Sequence, residues 1–137
     1  MAAPAHQIGA LPWRRREGAL EVLLVTSRET RRWVIPKGWP MIGRSDPEAA
    51  ATEAWEEAGV KGMIGPVPIG GFTYEKRLKD DSHRACRVKV YPLEVTAERE
   101  DWPEADERER RWMDAAAAAA AVAEPELAGL IAAFDPD

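Results

Sequence analysis

The sequence has few of the residues that form disulfides and zinc sites. Cys86 is its single cysteine, so no disulfide can form within the chain. The two histidines, His6 and His83, lie far apart and outside any zinc-ligand spacing. No apolar run approaches the roughly 18 residues that a membrane-spanning helix requires. A zinc cluster, an internal disulfide and a transmembrane helix are therefore not expected.

The N-terminal residues also lack the basic segment and apolar stretch of a secretory signal. We therefore expect a cytoplasmic protein without a membrane partner. The chain has 137 residues, of which 45% are hydrophobic and 31% charged. This is ordinary for a globular protein and long enough to bury a core. We expect one domain, spanning residues 5–135; the sequence says nothing about the oligomeric state.

Charge is unevenly distributed along the chain, whose formal net charge is −5. That balance argues against a nucleic-acid partner. Basic side chains outnumber acidic ones in residues 1–45 and 75–93, and acidic ones dominate residues 46–74 and 94–137. Such a pattern suits a polyanion bound through a divalent cation. Composition alone favours the plainer interpretation of chance clustering on solvated faces.

Apolar periodicity predicts several strands and helices. Four short segments are typical of strands, at residues 20–26, 32–35, 70–74 and 87–95. Pro92 within the last segment predicts an edge position or a bulge. Strands interspersed with helices indicate an α/β or α+β layered domain.

The helices are marked by their capping residues. Ser45 and Glu48 flank Asp46-Pro47 as in a capping box, and Gly59 suits the residue after a helix end. Asp114 followed by seven alanines predicts a second helix, because alanine has the highest helix propensity. Pro125 begins a third helix. Its predicted buried stripe consists of Leu127, Leu130, Ile131 and Phe134.

The first helix concentrates negative charge on one side. Glu53, Glu56 and Glu57 fall within an arc of roughly 100°. Like charges spaced i, i+4 cost a few tenths of a kcal/mol, and Mg²⁺, which prefers oxygen ligands, relieves that repulsion. A solvated acidic face is the alternative. We expect Ala51, Ala54, Trp55 and Ala58 to pack against a sheet from the opposite side, and Ala49 to leave room on the acidic side.

The segment before this helix strengthens the metal-site interpretation. Residues 33–36 form a predicted strand that ends at Pro36, and Lys37 and Gly38 follow. Glycine at this bend allows a backbone carbonyl to approach a cation closely. A strand, a glycine loop and a carboxylate-bearing helix together predict a cation and phosphate site.

These residues resemble the Nudix box, in which a glycine is followed by five residues, a glutamate, seven residues and then Arg-Glu-aliphatic-x-Glu-Glu-x-Gly-aliphatic. Gly38 occupies the first position, and Thr52-Glu-Ala-Trp-Glu-Glu-Ala-Gly-Val60 closes the box without insertion or deletion. The resemblance implies an α/β/α sandwich with a mixed β-sheet between helices. It also implies a hydrolase that cleaves a phosphoanhydride bond.

Two positions depart from the family pattern. Arg44 replaces the first glutamate of the box, and Thr52 replaces the arginine that helps to orient the catalytic carboxylates in the family. We interpret them as a compensated pair, because an arginine at position 52 would repel Arg44. The alternative is a catalytically impaired binding or regulatory module that keeps the fold.

The resemblance also implies roles for the site residues. Gly38, Glu53, Glu56 and Glu57 are the expected ligands of Mg²⁺, for which Mn²⁺ could substitute. Glu53 and Glu57 are the expected catalytic carboxylates. A further acidic ligand is sought among Glu104, Asp106 and Glu107, although a solvated loop is the favoured interpretation of these three.

The expected substrate is a small phosphorylated molecule, with inositol pyrophosphates and diadenosine polyphosphates favoured. Guanidinium and ammonium groups bind phosphate, and two basic stretches supply them. The candidate substrate-binding residues are Arg14, Arg16, Lys37, Lys76 and Arg87. Three tryptophans, Trp13, Trp39 and Trp112, are candidates for stacking on a base, although packing in the core or at its rim is the better interpretation.

Overall fold

The computed structural model describes residues 3–136. Its elements, in chain order, are β1 (Ala5–Arg16), β2 (Ala19–Thr26), β3 (Trp33–Val34), β4 (Lys37–Gly38), α1 (Asp46–Ala58), β5 (Val60–Ile64), β6 (Gly70–Arg77), β7 (His83–Glu98), β8 (Arg110–Asp114), α2 (Ala115–Ala121) and α3 (Pro125–Ala133).

The strands form one mixed sheet around a central parallel pair. β1 and β7 run parallel, with Ala5 opposite Cys86 and Trp13 opposite Glu94. β2 and then β3 extend the sheet beyond β1, while β5 and β6 both pair with the far side of β7. β4 pairs with β1, and β8 with β2. Every pairing except β1 with β7 is antiparallel.

Helices cover both faces of this sheet. In β2, Leu23 and Val25 belong to the apolar core beneath α1, whereas Val22 and Leu24 belong to the core beneath α2 and α3. Successive side chains of a strand point to opposite faces, so one strand contributes to both cores. This arrangement confirms the predicted α/β/α sandwich with a mixed sheet.

The strands differ from their predicted bounds. β3 contains only two residues, whereas β6 and β7 are longer than expected. The prediction of an edge position for Pro92 is wrong, because β7 has neighbours on both sides. Pro92 instead lies at the step between β6 and β5, where its carbonyl accepts a hydrogen bond from Gly65 at 2.8 Å. The paired residues of β5 end at Ile64 opposite Leu93, so Pro92 lies just beyond that ladder.

Helix α1 begins and ends as predicted. The Ser45 side chain accepts from the Glu48 N–H and the Glu48 carboxylate from the Ser45 N–H, which completes the capping box. Gly59 takes the left-handed conformation with φ of 69°.

The prediction of which face of α1 is buried is partly wrong. Ala50, Ala54 and Ala58 pack against the sheet, and so does Ala49, which the sequence analysis placed on the open acidic side. Ala51 and Trp55 are only half-buried. The helix is therefore rotated toward Glu57, which is the one buried glutamate of the acidic arc.

Helices α2 and α3 also follow the predicted pattern. The Asp114 carboxylate accepts from the Ala117 N–H at 2.7 Å and caps α2. Leu127 and Ile131 are fully buried, while Leu130 and Phe134 pack at the margin of the same core. Within residues 3–136, no helix is both long and apolar enough to span a bilayer.

The capping box gives a prediction about stability. Ser45→Ala should lower the free energy of unfolding by about 1 kcal/mol, because it leaves a helical N–H without its acceptor. The melting temperature should fall by roughly 3–5 °C. Ser45→Asp keeps the acceptor and serves as the control. Equal destabilisation by both changes in urea titrations would contradict a capping role.

Candidate active site

The C-terminal end of α1 is fixed by the segment that leads into β8. Three carbonyls in the last turn would otherwise lack partners. The Glu56 carbonyl accepts from the Glu104 N–H at 3.0 Å, and the Glu57 carbonyl accepts from the Trp102 indole N–H at 3.0 Å. The Ala58 carbonyl accepts from the Arg110 guanidinium at 2.9 Å. These bonds hold residues 102–110 against the carboxylate-bearing end of the helix.

Glu57 is a buried carboxylate surrounded by donors. Its exposed fraction is 7%. Oε1 accepts from the backbone N–H of Lys37 at 3.3 Å, and Oε2 lies 3.4 Å from Nη2 of Arg108. Burial raises the pKa of Glu57, and the charges of Arg108 and Lys37 oppose that shift. The two donors hold the Glu57 carboxylate in one orientation.

Arg108 joins two acidic residues at the base of the site. Its side chain is 8% exposed. Nε donates to Oε1 of Glu104 at 2.7 Å, Nη1 donates to the Thr26 carbonyl at 3.0 Å, and Nη2 faces Glu57. The sequence analysis did not select Arg108. The i, i+4 spacing from Glu104 was the available signal, but it is common in charged segments.

Glu53 lies directly over the glycine of the bend. A Cβ added to Gly38 would overlap the Glu53 carboxylate, so any other residue here would displace that carboxylate. The Glu53 and Glu57 side chains both line the same cleft. Burial, followed by the charges of Glu57 and Glu56, raises the pKa of Glu53 to about 8. At neutral pH the two neighbouring carboxylates therefore retain a proton between them.

Glu56, the third glutamate of the arc, lies away from the cleft that Glu53 and Glu57 line. Glu56 is half-buried and does not line the cleft, although its charge contributes to the raised pKa of Glu53. Glu104 lines the cleft, whereas Asp106 and Glu107 are exposed. Across residues 3–136, no three acidic, histidine or cysteine side chains converge as a preformed cation cage.

A cleft of about 580 Å³ opens above these carboxylates. Lys37 lies within it, and its ammonium is 4.5 Å from the centre of the Tyr74 ring. Burial lowers the pKa of Lys37, while Glu57 and Glu124 raise it. The basic residues around the cleft are Arg28, Arg32, Lys37, Lys76, Arg77 and Arg108, and its acidic residues are Glu29, Glu53, Glu57, Glu75, Glu104 and Glu124.

Only some of the predicted substrate-binding residues meet in this cleft. Lys37 and Lys76 line it. Arg14 lies elsewhere, paired with Glu21 at 2.8 Å and stacked on Trp112 at 4.0 Å. Arg87 is paired with Glu126 at 3.0 Å, and Arg16 is exposed at the end of β1. The basic stretches therefore contribute individual residues to the site and do not line it as a whole.

Tyr74 also lines the cleft and escaped the sequence analysis, whereas Lys76, two residues further along the same strand, was predicted. Tyr74 and Lys76 alternate with exposed neighbours on β6, which was the available signal for a shared face. The Tyr74 hydroxyl donates to Oε1 of Gln7 at 2.7 Å. Of the three candidate tryptophans, Trp39 lines the cleft, while Trp13 packs edge-on against Phe134.

The two departures from the box are in contact. The Arg44 guanidinium donates to the Thr52 hydroxyl. That hydroxyl donates in turn to the Glu48 carbonyl at 3.0 Å. The proximity expected for a compensated pair is therefore present, with a hydrogen bond between a cation and a neutral hydroxyl.

The chain is thus an α/β/α sandwich in which Glu53 and Glu57 lie together beside Gly38. The model of the NUDIX domain matches residues 5–134 of this chain. The chain belongs to the NUDIX family.

Named relatives agree with this membership. Nudix hydrolase 12, mitochondrial, of Arabidopsis thaliana is 41% identical over 97 residues, which cover 69% of this chain and 48% of that protein. Human diphosphoinositol polyphosphate phosphohydrolase 3-alpha is 40% identical over 101 residues, covering 72% of this chain and 57% of that protein. The chain thus spans about half the length of these relatives. A crystal structure of a C. elegans Ap4A hydrolase shares the fold, with a TM-score of 0.65, 20% identity and 95% of each chain covered.

The raised pKa of Glu53 predicts pH-dependent stability. The ordinary value is 4.5 and the value in the fold is about 8, so the stabilising contribution present below about pH 4.5 is lost as the pH rises to 8. In EDTA, Glu53→Gln should raise the melting temperature by a few degrees at pH 8 and change it little near pH 4.5. Thermal unfolding followed by circular dichroism measures this. A shift of equal size at both pH values would contradict the explanation.

The Arg44–Thr52 contact predicts the effect of restoring the family arginine. Thr52→Arg alone should cost about 0.5 kcal/mol of stability, because it opposes two like charges. It should raise metal-dependent turnover by no more than about twofold. Arg44→Glu combined with Thr52→Arg should recover the stability. A large activity gain from the single change would show that Thr52 is an uncompensated loss.

Proposed function

We propose that this chain is a metal-dependent hydrolase of a phosphoanhydride bond in a small polyphosphorylated substrate. The observation that carries the proposal is the adjacent pair of carboxylates, buried Glu57 and half-buried Glu53, which lie beside Gly38 in a cleft that Lys37 and Lys76 also line. Phosphoryl transfer depends mainly on positioning and charge neutralisation, which such a site supplies.

The carboxylates suit a divalent cation. Two adjacent glutamates that cannot both ionise at neutral pH are relieved by a doubly charged ion. Mg²⁺ usually binds through one or two protein carboxylates together with water and substrate phosphates, so a complete protein cage is not required. We propose Gly38, Glu53, Glu56 and Glu57 as ligands, with Glu56 needing a change of rotamer. The ion would polarise a phosphoryl group and supply a nucleophile at neutral pH.

The protein side chains have separate roles in this proposal. Glu57, oriented by Arg108 and the Lys37 N–H, offers a fixed anionic ligand. Glu53 lies over Gly38 beside Glu57, and we assign it the proton of the attacking water. Lys37 and Lys76 form no ion pair within residues 3–136 and are therefore available to the substrate phosphates.

The substrate class follows from these cations and from the named relatives. We propose an inositol pyrophosphate or a diadenosine polyphosphate. Arg14, Arg16 and Arg87 lie outside the cleft, so phosphate binding by these three residues stays a prediction. The cytoplasmic location stays a prediction, since one named relative is mitochondrial.

A binding or regulatory module is the second candidate. The absence of an arginine at position 52 favours it, because the family arginine helps to orient the catalytic carboxylates. Arg108 opposes it, because its guanidinium reaches the Glu57 carboxylate from another segment of the chain.

The test is phosphate release from a panel of substrates in Mg²⁺, Mn²⁺ or EDTA. The panel contains a diadenosine polyphosphate, an inositol pyrophosphate, ADP-ribose and a nucleoside triphosphate. Wild type should turn over at least one of them only with metal, and Glu57→Gln should lose at least a hundredfold in kcat. The control is Glu100→Gln, which changes an exposed glutamate outside the cleft. Tight binding without metal-dependent release would support the module.

A further inference from the structure

Glu124 is a carboxylate in the cleft that the proposed chemistry does not use. It immediately precedes α3, yet its side chain makes no capping bond. Its Oε1 is buried and without a hydrogen-bond partner, the single such side-chain atom found in residues 3–136. No lysine, arginine or histidine within that same range forms an ion pair with it. A buried acceptor without a donor is uncommon in folded proteins and calls for an explanation.

The position of Glu124 indicates what kind of group would satisfy it. It lines the cleft together with Lys37, Lys76 and Tyr74. Its charge opposes the fall in the pKa of Lys37, so the two groups are neighbours. The terminal torsion of glutamate is broad, so the carboxylate can rotate to meet a donor in the cleft. A hydroxyl or amine would then donate to it, whereas a phosphate would be repelled.

We propose that Glu124 binds the ribose hydroxyls of a ribonucleoside polyphosphate whose phosphates extend past Lys37 toward Glu53 and Glu57. This inference rests on the proposed function and narrows its substrate class. Two vicinal hydroxyls match the two oxygens of a carboxylate, and an acidic residue performs this recognition in dinucleotide-binding folds. A highly phosphorylated inositol ring instead presents negative charge at most of its carbons. The chain should therefore prefer the nucleotide.

The first experiment measures binding in the absence of turnover. ATP and 2′,3′-dideoxy-ATP are titrated into the full chain in EDTA by calorimetry. A site built to bind hydroxyls loses affinity for an analogue without them, because its polar groups are left unpaired. Wild type should bind ATP at least tenfold more tightly than the dideoxy analogue. Glu124→Ala should reduce that ratio below threefold.

The variants are chosen to separate recognition from folding. The Glu124 side chain makes no hydrogen bond or ion pair within residues 3–136, so Glu124→Ala should keep the melting temperature of wild type within about 2 °C. Glu126→Gln is the matched control on the same helix. Glu126 accepts from the Thr73 N–H at 2.9 Å and pairs with Arg87 outside the cleft. This control should retain the tenfold preference for ATP.

The second experiment uses turnover and distinguishes the two proposals. With Mg²⁺, Glu124→Ala should raise KM for diadenosine tetraphosphate at least fivefold while leaving kcat within threefold. Wild type should have a higher kcat/KM for this substrate than for an inositol pyrophosphate. If no substrate is hydrolysed, the proposed function is wrong. The ratio of the affinities for ATP and its dideoxy analogue, measured by calorimetry, then decides the role of Glu124.

Three results would overturn the inference. Equal affinity of wild type for ATP and for its dideoxy analogue would contradict the inference. An unchanged ratio of these two affinities in Glu124→Ala would contradict it as well. If Glu124→Ala lowered kcat by a hundredfold or more and left the ratio of the two affinities unchanged, Glu124 would act in the chemical step and not in ribose binding. A wild-type preference for the inositol pyrophosphate would likewise exclude a ribose site.

Discussion

A carboxylate withdrawn from water has to be compensated by donors or opposite charge, and the arrangement around Glu57 follows from that requirement. The backbone N–H of Lys37 supplies a donor, and Arg108 supplies the opposite charge. Lys37 belongs to the short strand β4, and Arg108 belongs to the segment that leads into β8. Glu57 therefore contacts two segments that are remote from each other in sequence, and the cleft lies between these segments.

The orientation of α1 depends on the same requirement. Its small alanines allow the helix to lie close to the sheet, and the bonds from Trp102, Glu104 and Arg110 hold its last turn. Because these partners contact backbone carbonyls, they hold the helix whatever the protonation of its glutamates. The carboxylates can then share a proton without loss of position.

The sequence analysis correctly predicted the features that depend on residues close together in sequence. The capping box, Gly59, the polyalanine helix and the stripe on α3 each depend on neighbouring residues, and each is present. The rotation of α1 was harder to predict, because Glu57 is buried through partners from other segments. β8, with Arg110 and Arg111 in its sequence, has no apolar run to identify it as a strand. Arg108 and Glu124 become notable only when the fold places them at the cleft.

The parallel pairing of β1 with β7 has a consequence for how the molecule is made. Ala5 faces Cys86 and Trp13 faces Glu94, so the central pair of strands joins segments that are far apart in sequence. The chain loses entropy when so long a loop closes, and this loss comes before the stabilising contacts form. Proteins rich in such long-range pairings therefore fold slowly. During synthesis, β1 emerges from the ribosome long before its central neighbour. Until β7 arrives, one side of β1 offers unpaired backbone groups, and unpaired strand edges make folding intermediates prone to aggregation.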